Sequence, residues 1–210
     1  MRRADVLRRR NGAAMRIILS PAKKMNADPD SLPCEGLPQF LSETKILLHA
    51  LQEMDAAALK TLWNCNDTLT KQNLERLRGM DLTKNPTPAL LCYQGLQYRR
   101  MAPGVFEDAQ LQYVKEHLRI LSGFYGILRP FDGVVPYRLE MQARLSVESC
   151  KDLYTFWGNK LARQLCSETD FILNLASKEY SRAITPYLPG NVRFLTCTFG
   201  ELSAERSGRI

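Results

Sequence analysis

The spacing of apolar side chains changes from block to block along the chain, and each change marks an element. Arg16 to Leu19 is a short apolar run stopped by Ser20-Pro21, which predicts a buried strand opening into a loop. Residues 26–38 carry three Pro, two Asp and a Gly and predict a loop. Phe40, Thr44, Leu47 and Leu51, flanked by Leu41 and Leu48, recur at helical spacing. Ala56 to Trp63 and Thr68 to Arg78 predict two short helices around Asn64-Cys65-Asn66-Asp67, with Asp67 as N-cap. Asn85 to Pro88 predicts a loop and Ala89 to Tyr93 a buried strand. Leu153, Trp157, Leu161 and Leu165 predict one amphipathic helix. Phe171 to Leu175 and Val192 to Phe199 predict the last two strands. Strands alternating with helices imply a single α/β domain, or a mixed α+β one, with a partly parallel sheet flanked by helices. There is no internal repeat.

The stretch from Leu118 to Met141 is the most heavily punctuated. It holds three Gly, two Pro, three Arg and two carboxylates within a largely apolar text. Leu111, Val114, Leu118 and Leu121 fall at helix spacing behind Asp108 as N-cap, and Ser122-Gly123 would end that helix. Gly126 permits a second tight backbone feature, and Ile127-Leu128 returns to the core. Arg129-Pro130 is extended because proline disfavours α geometry before it. Asp132-Gly133 predicts a turn, and Pro136 to Met141 alternates as a strand or extended segment would.

Composition narrows the function classes. The 210 residues are 45% hydrophobic, enough for a core, and no run of 18 apolar residues suggests a membrane span. The formal charge of +7 is unevenly spread. Residues 1–14 hold five Arg against one Asp, and from Met15 onward 24 basic side chains face 21 acidic ones. Overall charge is therefore weak evidence for nucleic acid. The 1–14 extension lacks the apolar region of a secretory signal. It reads as a disordered basic extension, a short transit-like segment or a start-site artefact. Six cysteines at 34, 65, 92, 150, 166 and 197 form no C-x-x-C, and only His49 and His117 are available to help them hold a metal. The expectation is no cofactor, no metal and reduced thiols in a cytoplasmic protein.

Several blocks carry a family resemblance. LSGFYGILRPFD and PYRLEM in the central stretch, KDLYTFWG and NLASKEY after it, and Ser20-Pro21-Ala22-Lys23 near the start stand in one order between Met15 and Phe199. The chain resembles the YaaA family of bacterial peroxide-stress proteins. The resemblance implies a cytosolic stress protein with an unusual α/β fold. It also implies DNA binding through a positively charged cleft and a helix-hairpin-helix element, and a link to limiting intracellular iron. The family pattern runs on past the last strand with a basic block, whereas this text stops at Ile210, so 15–210 is expected to be a C-terminally shortened member.

The residues offer a mechanism for DNA. A glycine hairpin at Gly123 and Gly126 could turn backbone N–H groups toward phosphates, with Arg119 and Arg129 flanking it. The second helix of such a motif would have to start at Pro130. The alternative is a capped helix followed by a loop, its arginines paired to Asp132 and Glu140. The helical hairpin over 56–78, with Lys71, Arg76 and Arg78, is a second candidate. Tyr98-Arg99-Arg100 joins an aromatic to two cations, a weak stacking signal. Lys23 and Lys24 follow the first strand, where α/β folds place binding groups, or lie in a solvated turn.

The DNA-binding set is thus Lys23, Arg119, Gly123, Gly126, Arg129, Arg138 and Lys178, contacting backbone without sequence preference. The rival class is an enzyme or small-molecule binder. Lys23, Arg138, Asn174, Ser177, Lys178 and Tyr180 follow predicted strands and could converge on a phosphate or carboxylate ligand. No nucleotide-loop, nucleophile-elbow or zinc-protease motif accompanies them, so the balance is against catalysis. Asp152 and Glu140 are carboxylates that no spacing pairs. Oligomeric state is not legible.

Overall fold

The computed structural model describes residues 14–28 and 32–197. Its centre is a five-stranded sheet of order β4-β3-β1-β6-β7. These strands are β1 (Arg16–Leu19), β3 (Leu118–Ser122), β4 (Gly126–Leu128), β6 (Phe171–Asn174) and β7 (Arg193–Thr196). β1 runs parallel to β3 and to β6, β6 runs parallel to β7, and only β4 is antiparallel. A two-stranded antiparallel pair, β2 (Thr87–Pro88) and β5 (Gly133–Val134), lies apart from it. Helices flank the sheet in one α/β domain, as the alternation of periods predicts. The crossover from β1 to β3 carries α1 (Leu41–Gln52), α2 (Ala56–Trp63), α3 (Asp67–Arg78), α4 (Ala89–Cys92), α5 (Leu96–Met101) and α6 (Asp108–His117). The return from β4 to β6 carries α7 (Leu153–Trp157) and α8 (Lys160–Glu168), and α9 (Lys178–Ser181) follows β6. No described helix is long and apolar enough to cross a membrane.

The central stretch departs from its expected form. The helix from residue 108 stops at His117, and Leu118–Ser122 is a strand with all five residues buried. The helical spacing of Leu111, Val114, Leu118 and Leu121 is real but spans two elements. A strand covered on both faces reads as a continuous apolar run, and periodicity alone does not separate it from helix. Glu107 is the cap rather than Asp108, and its N–H donates to Gln110 Oε1 at 2.7 Å. β3 then turns through Gly123-Phe124-Tyr125 into β4, so this is a β-hairpin. No helix starts at Pro130. The chain continues into β5, and Asp132 Oδ2 accepts the N–H of Arg129 at 2.8 Å.

Two glycines make the hairpin possible. Gly126 has φ +74°, and a Cβ there would sit 2.9 Å from Trp157 Cζ3. A Cβ on Gly123 would lie 2.8 Å from the Leu139 carbonyl oxygen and 2.9 Å from Met141 N. Glycine at 123 therefore lets residues 139–141 pass flat against the hairpin. Ser122 Oγ accepts the N–H groups of Phe124 and Tyr125 at 3.1 and 2.9 Å, and the Trp157 indole N–H donates to the Gly123 carbonyl at 3.0 Å.

Other differences are local. Ala89–Cys92 is a buried helical turn, not a strand, an ambiguity inherent in a short apolar run. The predicted single helix over 153–165 breaks at Gly158, whose φ is +48°. Asn66 rather than Asp67 caps α3, accepting Leu69 N–H at 3.0 Å. Residues 136–140 join no strand, with Tyr137, Leu139 and Met141 buried and the Arg138 and Glu140 side chains partly buried. The predicted last strand is observed over Arg193–Thr196, and residues 198–199 lie outside the described part. So does the extension up to residue 13. None of the six cysteines is in a disulfide.

Candidate functional site

The chain lays β3 and β4 on one side of β1 and β6 and β7 on the other. Loops leaving β1 and β6 therefore diverge, and a crevice opens beyond the C-terminal ends of these strands, where open α/β sheets place ligands. The crevice measures about 600 Å³. Its floor is pinned by Ser20. Ser177 N–H donates to Ser20 Oγ at 2.8 Å, and the two hydroxyls meet at 3.2 Å. The Ser20 carbonyl accepts Gln97 Nε2 at 2.6 Å and the Tyr98 hydroxyl at 2.8 Å. Tyr98 is thus buried and committed to the β1 loop, which removes it as an exposed stacking platform. Arg99 and Arg100 remain exposed beside it.

The walls carry charge. Lys23 Nζ lies 2.9 Å from Glu140 Oε2, and Arg138 Nη2 lies 3.0 Å from Glu140 Oε1, so one carboxylate bridges two cations. Lys178 is an exposed part of the same lining, and Glu179 and Tyr180 follow it. Glu179 accepts Gln142 N–H at 3.1 Å. Burial and then the neighbouring Glu140 charge push its carboxyl above the usual range. Burial likewise pushes the Tyr180 phenol far up, so it is a neutral donor.

A second hollow of about 910 Å³ adjoins the first and shares Lys23, Arg138 and Glu140 with it. It runs to α2 and to Asn64, the left-handed residue that joins α2 to α3. Trp63 Nε1 and Arg138 Nε, both in residues lining this hollow, are buried without an acceptor among the described residues. No three His, Cys, Asp or Glu side chains among the described residues come together as a metal site would require.

The structure therefore gathers Lys23, Arg138, Ser177, Lys178 and Tyr180 in one crevice. Asn174 lies just beneath, with its amide spent on Thr196 Oγ1 at 3.2 Å and on Ala176 N–H at 3.0 Å. The hairpin residues stand elsewhere. Gly123 and Gly126 are buried, and the Ser122 hydroxyl takes the N–H groups between them. Arg119 is buried on β3, its Nε and Nη2 at 2.9 and 2.6 Å from Glu168 Oε2. Arg16 Nε joins the same oxygen at 2.9 Å, so Glu168 ties α8 to β1 and β3. Burial opposes charge on Glu168, but bonds from Arg16, Gln164 and Arg119 prevail and hold its carboxyl low. Arg129 is exposed, outside both hollows. Ser20, Glu179 and Trp63 were not among the sequence candidates. Ser20 shares a strand-end tetrapeptide with Lys23, the only signal that pointed to it, and the Glu140–Glu179 pairing arises from tertiary structure alone.

Fold and crevice define a class: an α/β protein with a charged crevice at the switch point of a mostly parallel sheet. Within it the chain belongs to the family described as Peroxide stress protein YaaA, which residues 15–209 match. It is 54% identical over 192 residues to a UPF0246 protein of Lachnoclostridium phytofermentans, covering 91% of this chain and 75% of that one. A UPF0246 protein of Desulfitobacterium hafniense is 50% identical over 196 residues, 93% of this chain and 77% of its own. One of Pediococcus pentosaceus is 48% identical over 188 residues, 90% and 75% of the two chains.

Proposed function

We propose that the protein acts in the cytoplasm, in the peroxide stress response, as a non-specific DNA-binding protein that holds the phosphate backbone along the strand-end groove. The observation that carries this reading is continuity. The two hollows share the Lys23–Glu140–Arg138 wall, so together they run from the strand ends to α2 and the Asn64 turn. An elongated groove suits a polymer better than a compact molecule. In this reading Lys23, Arg138 and Lys178 neutralise phosphates, and the α2–α3 hairpin supplies a helix-hairpin-helix-like contact in place of the 123–130 segment. Limiting intracellular iron and oxidative damage is the physiological role that family membership favours.

The compact alternative, a small phosphate- or carboxylate-bearing ligand at the strand ends, is favoured by the hydrogen-bonded Ser20–Ser177 pair that pins the crevice floor. A fluorescence anisotropy titration with a short duplex separates the two. With three cations on phosphates, log K falls against log salt with a slope of about −2.7, roughly 40-fold between 50 and 200 mM. An affinity that does not respond to salt overturns the DNA reading.

A further inference from the structure

Arg138 presents a two-pronged donor edge, yet only one prong is used on an anion. Its Nη2 meets Glu140 Oε1 at 3.0 Å and the Trp63 carbonyl at the long distance of 3.5 Å, while its Nε is buried without an acceptor. A buried donor left unpaired is costly, and native structures pair nearly all of theirs. Trp63 Nε1, the other buried donor without an acceptor among the described residues, belongs to the residue whose carbonyl Arg138 touches. Across from Arg138, Lys23 Nζ takes the second oxygen of the same Glu140 carboxylate at 2.9 Å. Glu140 thus places two oxygens of one anionic group between two cations, at the wall common to both hollows.

We propose that Lys23 and Arg138 form a subsite for a single phosphate group, and that the Glu140 carboxylate occupies it here as an internal stand-in that a phosphate displaces. The inference rests on the groove being the binding site and names the group it takes. A phosphate offers more acceptor oxygens than a carboxylate, so it satisfies Arg138 Nε and Nη2 together and still reaches Lys23. Room for Glu140 to leave exists, because it lines both hollows. Glu179 gives it reason to leave. A second carboxylate beside the first is repulsive, and among the described residues Lys23 and Arg138 are the partners that hold the Glu140 carboxylate in place against it. The protein in this account trades the two ion pairs of Glu140 for contacts to one external anion, so Glu140 lowers affinity for phosphates of every kind.

The test uses the full chain and two probes, a fluorescein-labelled duplex and inorganic phosphate, with Glu140→Gln, Glu140→Asp and Arg138→Lys. Glu140→Gln is expected to tighten both probes by about three- to tenfold, because two ion pairs no longer have to be broken. Glu140→Asp, too short to bridge both cations, gives a smaller gain in the same direction and serves where the first variant folds poorly. Arg138→Lys keeps the charge but loses the fork, and it abolishes the gain when combined with Glu140→Gln. Tightening of inorganic phosphate with no duplex binding in any variant upholds the subsite and removes the DNA reading. Duplex binding that Glu140→Gln leaves unchanged or weakens overturns the subsite while the DNA reading stands. Unchanged binding of both probes overturns it as well.

Discussion

Gly123→Ala tests whether the hairpin serves the groove through position rather than contact. The added Cβ would lie 2.8 Å from the Leu139 carbonyl oxygen and 2.9 Å from both Glu140 C and Met141 N. These are backbone atoms, so no flexible side chain can yield, and ordinary contact requires a shift of about half an ångström or more. Overpacking of this kind costs about 1–3 kcal/mol, and backbone contact on one side puts Gly123→Ala toward the upper end. For a domain of this size that corresponds to a fall in Tm of roughly 5–10 °C. The displaced segment carries Arg138 and Glu140, so duplex affinity should also fall, by more than the unfolded fraction explains. Gly126→Ala is the control. It meets the tip of Trp157 at φ +74° and should destabilise by about 2–4 kcal/mol, yet it pushes on the core and not on residues 138–140. Melting curves and binding isotherms on both variants decide the matter. A Gly123→Ala protein that melts with the parent and binds like it would refute the reasoning, as would Gly126→Ala losing more affinity per folded molecule.

Glu168→Ala leaves Arg16 and Arg119 without their shared carboxylate in a largely buried place, and urea melts should show a loss of about 3–5 kcal/mol with duplex affinity of the folded protein unchanged. Asp132 is buried, and burial pushes its carboxyl up to about 6 against the opposing bond from Arg129 N–H and the Arg129 and Arg119 charges. A group that holds its proton more tightly folded than unfolded contributes stability below its unfolded pKa and loses it as pH rises through the folded one. Relative to Asp132→Asn, which can still accept the Arg129 N–H, the parent should lose up to about 3 kcal/mol between pH 4 and pH 6.5. Equal pH profiles for the two proteins in chemical denaturation would contradict this.

The elements with an unambiguous period were legible in the sequence. β1, β6 and the two short helices α2 and α3 stand where their apolar spacing and caps place them, to within a residue or two. What misled was the join at His117–Leu118, where a helix stripe runs straight into a buried strand of the same apolar character. Arg119 shows the consequence. Read as a helix residue flanking a glycine hairpin, it looked available to phosphate, but on β3 its side chain is buried against Glu168. The strand-end set fared differently. Lys23 follows β1, and Ser177, Lys178 and Tyr180 follow β6, a topological property that sequence order suggests. Arg138, by contrast, joins them from the unpaired segment after β5. Lys23, Arg138, Ser177, Lys178 and Tyr180 do line one crevice. Glu140 and Glu179 could not be paired in advance, since nothing in their spacing reports the loop geometry that brings them together.

The central claim is that the groove, and not basic surface in general, carries the phosphate contacts. Its most direct test is a charge-matched comparison of salt slopes. Lys23→Ala with Lys178→Ala removes two positive charges from the groove, and Arg99→Ala with Arg100→Ala removes two from an exposed helix whose arginines lie off the crevice wall. With the groove as the site, the first pair weakens every duplex about equally and lowers the magnitude of the log K against log salt slope by about two, while the second pair leaves the slope as in the parent. Equal slopes for both pairs, or a loss confined to the Arg99 and Arg100 variant, would contradict it.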